Sequence, residues 1–142
     1  MSDNAVSFFL DTSAILALME GEPGASRVRQ VLQQEHTFIS AISLLEVRYI
    51  TLQERDEAEA DVRHALLTHS GADIVWDLDE PTVLKAAAFK AEHALSFADT
   101  VIAASAQRRG AVLLHKDPEF DALGEQVKQE RLPLKATHKP RV

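Results

Sequence analysis

The sequence contains no cysteine, and its 142 residues include only one tryptophan, one tyrosine and five glycines. Without cysteine the chain has neither a disulfide framework nor a thiolate metal site. Its six histidines form no HExxH pair, and it has no glycine-rich phosphate loop and no G-x-S-x-G nucleophile elbow. These absences exclude the common zinc, phosphate-loop and serine-nucleophile designs.

Long hydrophobic runs and basic charge are also scarce. The first apolar run ends at Leu10, because the polar residues Asp11, Thr12 and Ser13 follow it. No basic region precedes this run. Neither a signal peptide nor a membrane span is predicted, and the expected location is the cytoplasm. The formal net charge of −7, taken alone, argues against a nucleic-acid partner.

The charge is unevenly distributed along the chain. From Lys128 onwards five Lys and Arg residues face a single acid, Glu130, whereas the other residues carry a net charge of −11 (10 basic, 21 acidic). A basic C-terminal tail from about residue 128 can meet phosphates, and divalent cations would offset part of an acidic cluster. A solvated terminus is the simpler explanation of the tail on composition alone.

The length and the order of the elements predict the fold. A chain of 142 residues is most simply one domain, spanning residues 1–142. Short apolar strand candidates at 6–10, 37–39, 74–76, 111–114 and 131–134 alternate with helical segments. This alternation predicts an α/β fold, a three-layer α/β/α sandwich with a mostly parallel central sheet.

The segment Leu95–Phe120 contains two candidate acids, and its helix and strand predict where they lie. Asp99 opens a helix that Gly110 ends, and a strand at 111–114 leads to Asp117. The apolar stripe that follows Asp99 at helical spacing consists of Ile102, Ala103 and Ala106. About eleven helical residues span roughly 17 Å, and the strand returns a similar distance. Asp99 and Asp117 are therefore expected to meet at the carboxyl edge of the sheet.

A third carboxylate, Glu46, stands on an apolar helix. The arc expected to be buried on this helix consists of Ile42, Leu45, Tyr49, Ile50 and Leu52, and Glu46 falls inside it. A lone carboxylate on a buried face is costly unless a positive group meets it.

The next two helices also carry apolar residues at helical spacing. Their expected inward faces are Ala58, Val62, Ala65 and Leu66 on the first and Leu84, Ala87, Ala88 and Ala91 on the second. A hydrophobic patch around the first of these helices can serve as core or as interface.

Asp11, directly after the first strand, joins these three as a fourth candidate acid. Carboxylates packed together repel and raise one another's pKa, and a hard divalent cation such as Mg²⁺ or Mn²⁺ removes the conflict. Sites of this kind usually hydrolyse phosphate esters, because the metal polarises a phosphoryl oxygen and lowers the pKa of a water.

Ordinary structural explanations compete with the metal hypothesis. Asp11 can cap the helix after it, Asp99 can be an N-cap or first-turn acid, and Asp117 can form an Asp-Pro turn. Capping does not explain Glu46, although a pairing with Arg48 remains open. Glu119 and Asp121 are possible sources of a fifth acid, with surface solvation as the alternative.

Four segments, in order and spacing, carry a family resemblance. They are Phe9–Ala14 (FLDTSA), Ser43–Val47 (SLLEV), Leu95–Ala104 (LSFADTVIAA) and Leu113–Phe120 (LLHKDPEF). With them the chain resembles PIN domains, and among these the VapC-type toxins of prokaryotic toxin–antitoxin pairs. The resemblance covers nearly the whole chain.

The resemblance implies a metal-dependent endoribonuclease in which bound water attacks the phosphodiester. The acids that would hold one or two Mg²⁺ or Mn²⁺ ions are Asp11, Glu46, Asp99 and Asp117. Ser13, in preference to Thr12, would position water or substrate. Family members often form homodimers, and the toxins are silenced by a cognate antitoxin that covers or enters the site.

One position departs from the family pattern. His115 stands two residues before the last acid, where the family usually has Thr or Ser. The imidazole either substitutes for the hydroxyl, contacts phosphate or weakens the site. Besides a toxin, the alternatives are a PIN nuclease of ordinary RNA processing and a PIN-like module that binds RNA or protein without cleavage. A phosphoacceptor receiver domain is a more distant alternative.

Overall fold

The structure is a computed structural model that describes residues 5–134 of the chain. Its strands are β1 (Ser7–Leu10), β2 (His36–Ser40), β3 (Asp73–Val75), β4 (Val112–His115) and β5 (Gln129–Arg131). Its helices are α1 (Thr12–Met19), α2 (Ala25–Gln34), α3 (Ala41–Glu54), α4 (Glu57–Thr68), α5 (Glu80–Glu92) and α6 (Phe97–Arg108), and a 3₁₀ segment spans Pro118–Gln126. The predicted basic tail is described only as far as Leu134, and the rest of it lies outside the described residues.

The five strands form one sheet in the order β3-β2-β1-β4-β5, and every pairing in it is parallel. At the centre, Leu10 is level with Ile39 of β2 and with Leu114 of β4. Because all strands point the same way, the residues that follow them collect at one edge of the sheet. The backbone N–H of Asp11 continues this ladder by donating to the carbonyl of Leu114 at 3.0 Å.

Helices cover both faces of the sheet. Phe9 and Leu113 point to one face and pack with α5 and α6, which contribute Phe89 and Ile102 to that core. Residues of opposite parity, such as Leu10, pack on the other face with α1, α2 and the inner side of α3. The predicted three-layer α/β/α sandwich is confirmed, with a sheet that is wholly parallel over residues 5–134.

Every strand differs from its predicted bounds by at least one residue, and the two edge strands show why. β3 ends at Val75, and Trp76, expected within it, lies outside with 64% of its side chain exposed. β5 occupies Gln129–Arg131 instead of 131–134. Both strands lie at edges of the sheet, where one side faces solvent and polar residues are tolerated. An apolar pattern is therefore a poor guide to where they begin and end.

The inward faces predicted for α3, α4 and α5 are wrong. The residues these helices bury are Ser43, Leu44, Val47 and Thr51, then Ala60, Arg63 and Leu67, then Thr82, Ala86 and Phe89. The expected core residues Leu45, Val62, Leu66 and Leu84 are instead 51–64% exposed. The polar residues can face inward because they have partners there, as when Thr51 donates to the carbonyl of Val47 at 2.7 Å. None of the described helices is both long and apolar enough to cross a membrane.

Arg63 makes the main buried polar contacts that allow α4 to turn this face inward. Its side chain is only 4% exposed and donates to Glu20 at 2.8 Å, to Glu59 at 3.1 Å and to Thr51 at 3.2 Å. The end of α1 is thereby joined to α3 and α4. Arg55 bonds the same Glu20 at 2.7 Å from a side chain that is 49% exposed.

We expect Arg63→Ala to lower the free energy of unfolding by roughly 2–4 kcal/mol, because it removes a buried cation from its partners. Arg55→Ala, the exposed partner of the same carboxylate, should cost less than about 1 kcal/mol. Urea unfolding followed by circular dichroism measures both values. Equal losses in the two variants would contradict a special contribution from Arg63.

Candidate functional site

Asp11 lies at the centre of the carboxyl edge and is only 2% exposed. It caps α1: its Oδ2 accepts the backbone N–H of Ser13 at 3.0 Å and the hydroxyl of Ser13 at 2.5 Å. Its Oδ1 is buried and has no hydrogen-bond partner among residues 5–134. The capping explanation is therefore correct but incomplete, since a second oxygen remains without a partner. A buried carboxylate oxygen without a protein partner normally binds an ion or a water molecule.

Ser13 holds this carboxylate in place. Its hydroxyl donates to Asp11 and accepts the backbone N–H of Lys116 at 2.9 Å, across 103 residues of sequence. One hydroxyl thus joins the start of α1 to the segment that follows β4. Ser13, predicted to position water or substrate, is placed by the structure to orient Asp11.

Thr12 plays the corresponding part for Glu46. The Thr12 hydroxyl lies 2.6 Å from Oε1 of Glu46, to which it donates, and 2.9 Å from the hydroxyl of Ser43. Ser43 precedes Glu46 by three residues, so helical spacing could have indicated their shared face, but this residue was missed from sequence. Arg48 does not pair with Glu46 and instead bonds Asp61 at 3.0 Å.

Asp99 and Asp117 meet as the helix and strand lengths predicted. One carboxylate oxygen from each of them, together with one from Glu119, lies within 4.8 Å of the others. Asp99 is in the first turn of α6, which Ser96 caps, and Asp117 caps the 3₁₀ segment by accepting the N–H of Glu119 at 2.9 Å. Of the two acids considered as a fifth member, Glu119 is part of this group, whereas Asp121 bonds Arg131 at 3.0 Å.

The electrostatics of the cluster are unfavourable without a counterion. Burial raises the pKa of Asp11 to about 6; the bonds from Ser13 oppose this rise, and the charges of Glu46 and Asp117 add to it. Burial, followed by the charges of Asp11 and Asp117, raises the pKa of Asp99 to about 7. These acids therefore bind protons near neutral pH unless a cation compensates them.

The side chain of His115 is fully buried, whereas Asp99 and Asp117 are half-buried. Its Nδ1 accepts the backbone N–H of Asp117 at 3.1 Å, and its Nε2 lies 2.9 Å from Oε1 of Gln129. Burial lowers the pKa of His115, which suits the neutral ring that this arrangement requires. A ring with both nitrogens engaged is not free to contact phosphate.

The donor set fits a hard divalent cation. It consists of carboxylate oxygens, three of them close together, and it includes a buried Asp11 oxygen that needs a partner. Oxygen ligands of this kind suit Mg²⁺ or Mn²⁺. Burial is the main cause of the raised pKa values of Asp11 and Asp99, the charges of neighbouring acids add to it, and a bound cation would offset both effects. The sequence predicted an acidic site at this edge with Glu119 as a possible member, and the structure places Glu119 with Asp99 and Asp117.

Comparison with protein families gives a match to the PIN domain over residues 8–126. The chain belongs to the PIN domain family. The match includes all five acids, and membership of this family supports a nuclease activity. No curated protein sequence matches this PIN domain significantly.

Solved structures similar to this PIN domain are VapC-type proteins. VapBC2 from Rickettsia felis, bound to a DNA fragment from the promoter, is 15% identical over 90% of this chain and 100% of that one, with a TM-score of 0.75. VapBC-1 from nontypeable Haemophilus influenzae is 22% identical over 89% and 98%, with a TM-score of 0.71. VapC20 of Mycobacterium tuberculosis, described as a sarcin-ricin loop cleaving toxin, is 18% identical over 82% and 95%, with a TM-score of 0.68. At these identities the likeness shows a common fold.

The raised pKa values predict how the stability of the metal-free protein depends on pH. Both acids have folded-state pKa values above the 3.8 of an unfolded chain, so their contribution to stability is complete below about pH 4. It is lost as pH rises through about 6 and 7. In EDTA, the free energy of unfolding should therefore fall between about pH 4 and 7, and Mn²⁺ should restore it at the upper end.

Urea unfolding at several pH values measures this dependence. Asp99→Asn cannot ionise and should show a smaller fall than the wild type. Glu54→Gln, which changes an exposed acid at the end of α3, should follow the wild type. The same fall in Asp99→Asn as in the wild type would show that the acid cluster is not its source.

Proposed function

We propose that this PIN domain is a Mg²⁺- or Mn²⁺-dependent endoribonuclease that hydrolyses RNA phosphodiester bonds and acts as the toxin of a toxin–antitoxin pair in the cytoplasm. The observation that carries the proposal is the buried Oδ1 of Asp11, which has no partner among the described residues. The same carboxylate interacts with the charges of Glu46, Asp117 and Asp99. A carboxylate oxygen buried without a partner is costly unless a cation completes its environment.

The side chains divide into metal ligands and the residues that orient them. The acids that would hold the metal are Asp11, Glu46, Asp99 and Asp117, with Glu119 as an additional ligand. When bound, the divalent ion would stabilise charge on the phosphoryl oxygens and lower the pKa of an attacking water. Ser13 and Thr12 fix the carboxylates of Asp11 and Glu46 before substrate arrives, which reduces the reorganisation that the reaction requires.

The toxin assignment is favoured over ordinary RNA processing by the structural neighbours, which include a toxin–antitoxin complex and a member of the VapBC family of toxin–antitoxin systems. Another neighbour, VapC20, is a toxin that cleaves the sarcin-ricin loop. A PIN-like module that binds RNA or protein without cutting remains the second candidate, because His115 replaces the usual hydroxyl residue. The cleavage experiment below separates the two.

We expect purified protein to cut total cellular RNA into discrete fragments with Mn²⁺ and to leave it intact with EDTA. Asp11→Asn should reduce the rate at least about 100-fold, because it removes a ligand charge at the centre of the cluster. Asp73→Asn at the opposite edge is the matched control and should cut normally. Folded protein that binds Mn²⁺ but cuts no RNA would favour the binding module.

We assign the antitoxin to the α1–α4 groove, an apolar surface of the toxin. This groove, of about 370 Å³, is lined by Leu18, Met19, Leu32, Leu66, Leu67 and Ser70. Helix α1 runs from this groove to Thr12, beside Asp11, over about 12 Å. An antitoxin seated in the groove therefore lies about one length of α1 from the acids.

A second apolar surface, the α5–α6 groove, suits a second copy of this chain. It measures about 420 Å³ and is lined mainly by Leu78, Val83, Ala87, Ala91 and Phe97. Phe97 is 73% exposed at its margin, so the surface offers both a projecting ring and an apolar hollow. A two-fold dimer requires such a self-complementary surface.

A lysine introduced into one apolar groove should disrupt the interface at that groove and leave the other interface intact. Leu66→Lys should no longer be neutralised by the cognate antitoxin when the two are co-expressed, while remaining dimeric. Val83→Lys should become monomeric in light scattering and still be neutralised. Each variant controls for the other, and a monomeric Leu66→Lys that is still neutralised would contradict the assignment of the two surfaces.

A further inference from the structure

His115 connects the end of β4 to the segment that carries two of the acids. Its Nδ1 accepts the N–H of Asp117 at 3.1 Å, and the imidazole lies 4.8 Å, centroid to centroid, from the ring of Phe120. The side chain is fully buried. An imidazole placed in this way can affect the acids only through the backbone that it holds.

Gln129, in β5, completes the arrangement. Its Oε1 faces Nε2 of His115 at 2.9 Å, and its Nε2 donates to the carbonyls of Phe120 at 3.0 Å and Gly124 at 3.2 Å. Because the amide nitrogen has two carbonyl acceptors, the amide oxygen is the group that faces His115, and the imidazole donates from Nε2. The contacts of the pair thus run from β5 through the 3₁₀ segment to the backbone of Asp117.

The N–H that His115 fixes belongs to an acid of the cluster. The side chain of Asp117 accepts the N–H of Glu119, so both carboxylates depend on the same short stretch of backbone. Ser13 holds the preceding N–H, that of Lys116, from the side of Asp11. Two successive backbone groups are therefore held, one by Ser13 and one by His115.

We propose that His115 and Gln129 are a positioning pair that sets the affinity of the Asp117–Glu119 stretch for a divalent cation; this inference rests on the proposed metal-dependent function. A hydroxyl at position 115 is too short to reach both Asp117 and Gln129. The imidazole contacts both residues, so in this chain Gln129 on the neighbouring strand helps to hold the backbone of Asp117. Partners outside the ligand set commonly change metal affinity 10–100-fold when they are removed.

The test is the dissociation constant of Mn²⁺ for the full chain, measured by electron paramagnetic resonance of free Mn²⁺, beside the melting temperature. His115→Leu removes the acceptor for the Asp117 N–H and should weaken Mn²⁺ binding about 10-fold or more. His115→Asn places an oxygen near the position of Nδ1 and should recover most of the affinity. Gln129→Leu, at a partly exposed position, should weaken binding in the same direction even if His115→Leu fails to fold.

Leu123→Ala is the matched control, because it truncates a buried side chain of the same 3₁₀ segment outside the pair. It should lower the melting temperature and leave Mn²⁺ affinity unchanged. If His115→Leu and Gln129→Leu also lower only the melting temperature, their role is structural and the inference is overturned. Wild-type protein that binds Mn²⁺ without cutting RNA would overturn the proposed function alone. Wild-type protein that binds no Mn²⁺ would overturn both.

Discussion

Electrostatic repulsion among carboxylates at one edge of a parallel sheet is the constraint on which the site depends. Parallel pairing brings the ends of β1 and β4 side by side, and each strand is followed by an acid, Asp11 or Asp117. Helix α6 begins at the same edge and adds Asp99. Burial makes this repulsion costly, as the raised pKa values of Asp11 and Asp99 show. The surrounding hydroxyls and backbone groups hold the acids together until a proton or a cation relieves the repulsion.

The ordinary and the functional explanations of the acids are compatible in this fold. A carboxylate has two oxygens, and Asp11 uses Oδ2 to cap α1 while Oδ1 stays without a described partner. Asp117 caps the 3₁₀ segment and still lies within the oxygen cluster with Asp99 and Glu119. Capping fixes the orientation of each acid before any ligand binds, so the helix ends serve as the rigid frame of the site.

The outer surfaces of α3, α4 and α5 reflect a second constraint. These helices bury polar residues that find partners inside, above all Arg63 with Glu20 and Thr51, and leave Leu66 and Leu84 exposed. Contiguous exposed apolar surface on a small domain commonly marks an interface. The exposed apolar residues of this PIN domain are thus more consistent with surfaces that bind a partner than with the core positions expected from the sequence.

The sequence by itself determined the alternation of strands and helices, the parallel sheet and the meeting of Asp99 with Asp117. These follow from periodicity and from the lengths of one helix and one strand that adjoin in the chain. The tertiary structure alone decided that Thr12 holds Glu46, that Ser13 holds the N–H of Lys116 across 103 residues, and which faces of α3 and α4 turn inward. Such contacts depend on how elements distant in sequence are packed against one another, and the local pattern of apolar residues contains no record of that packing.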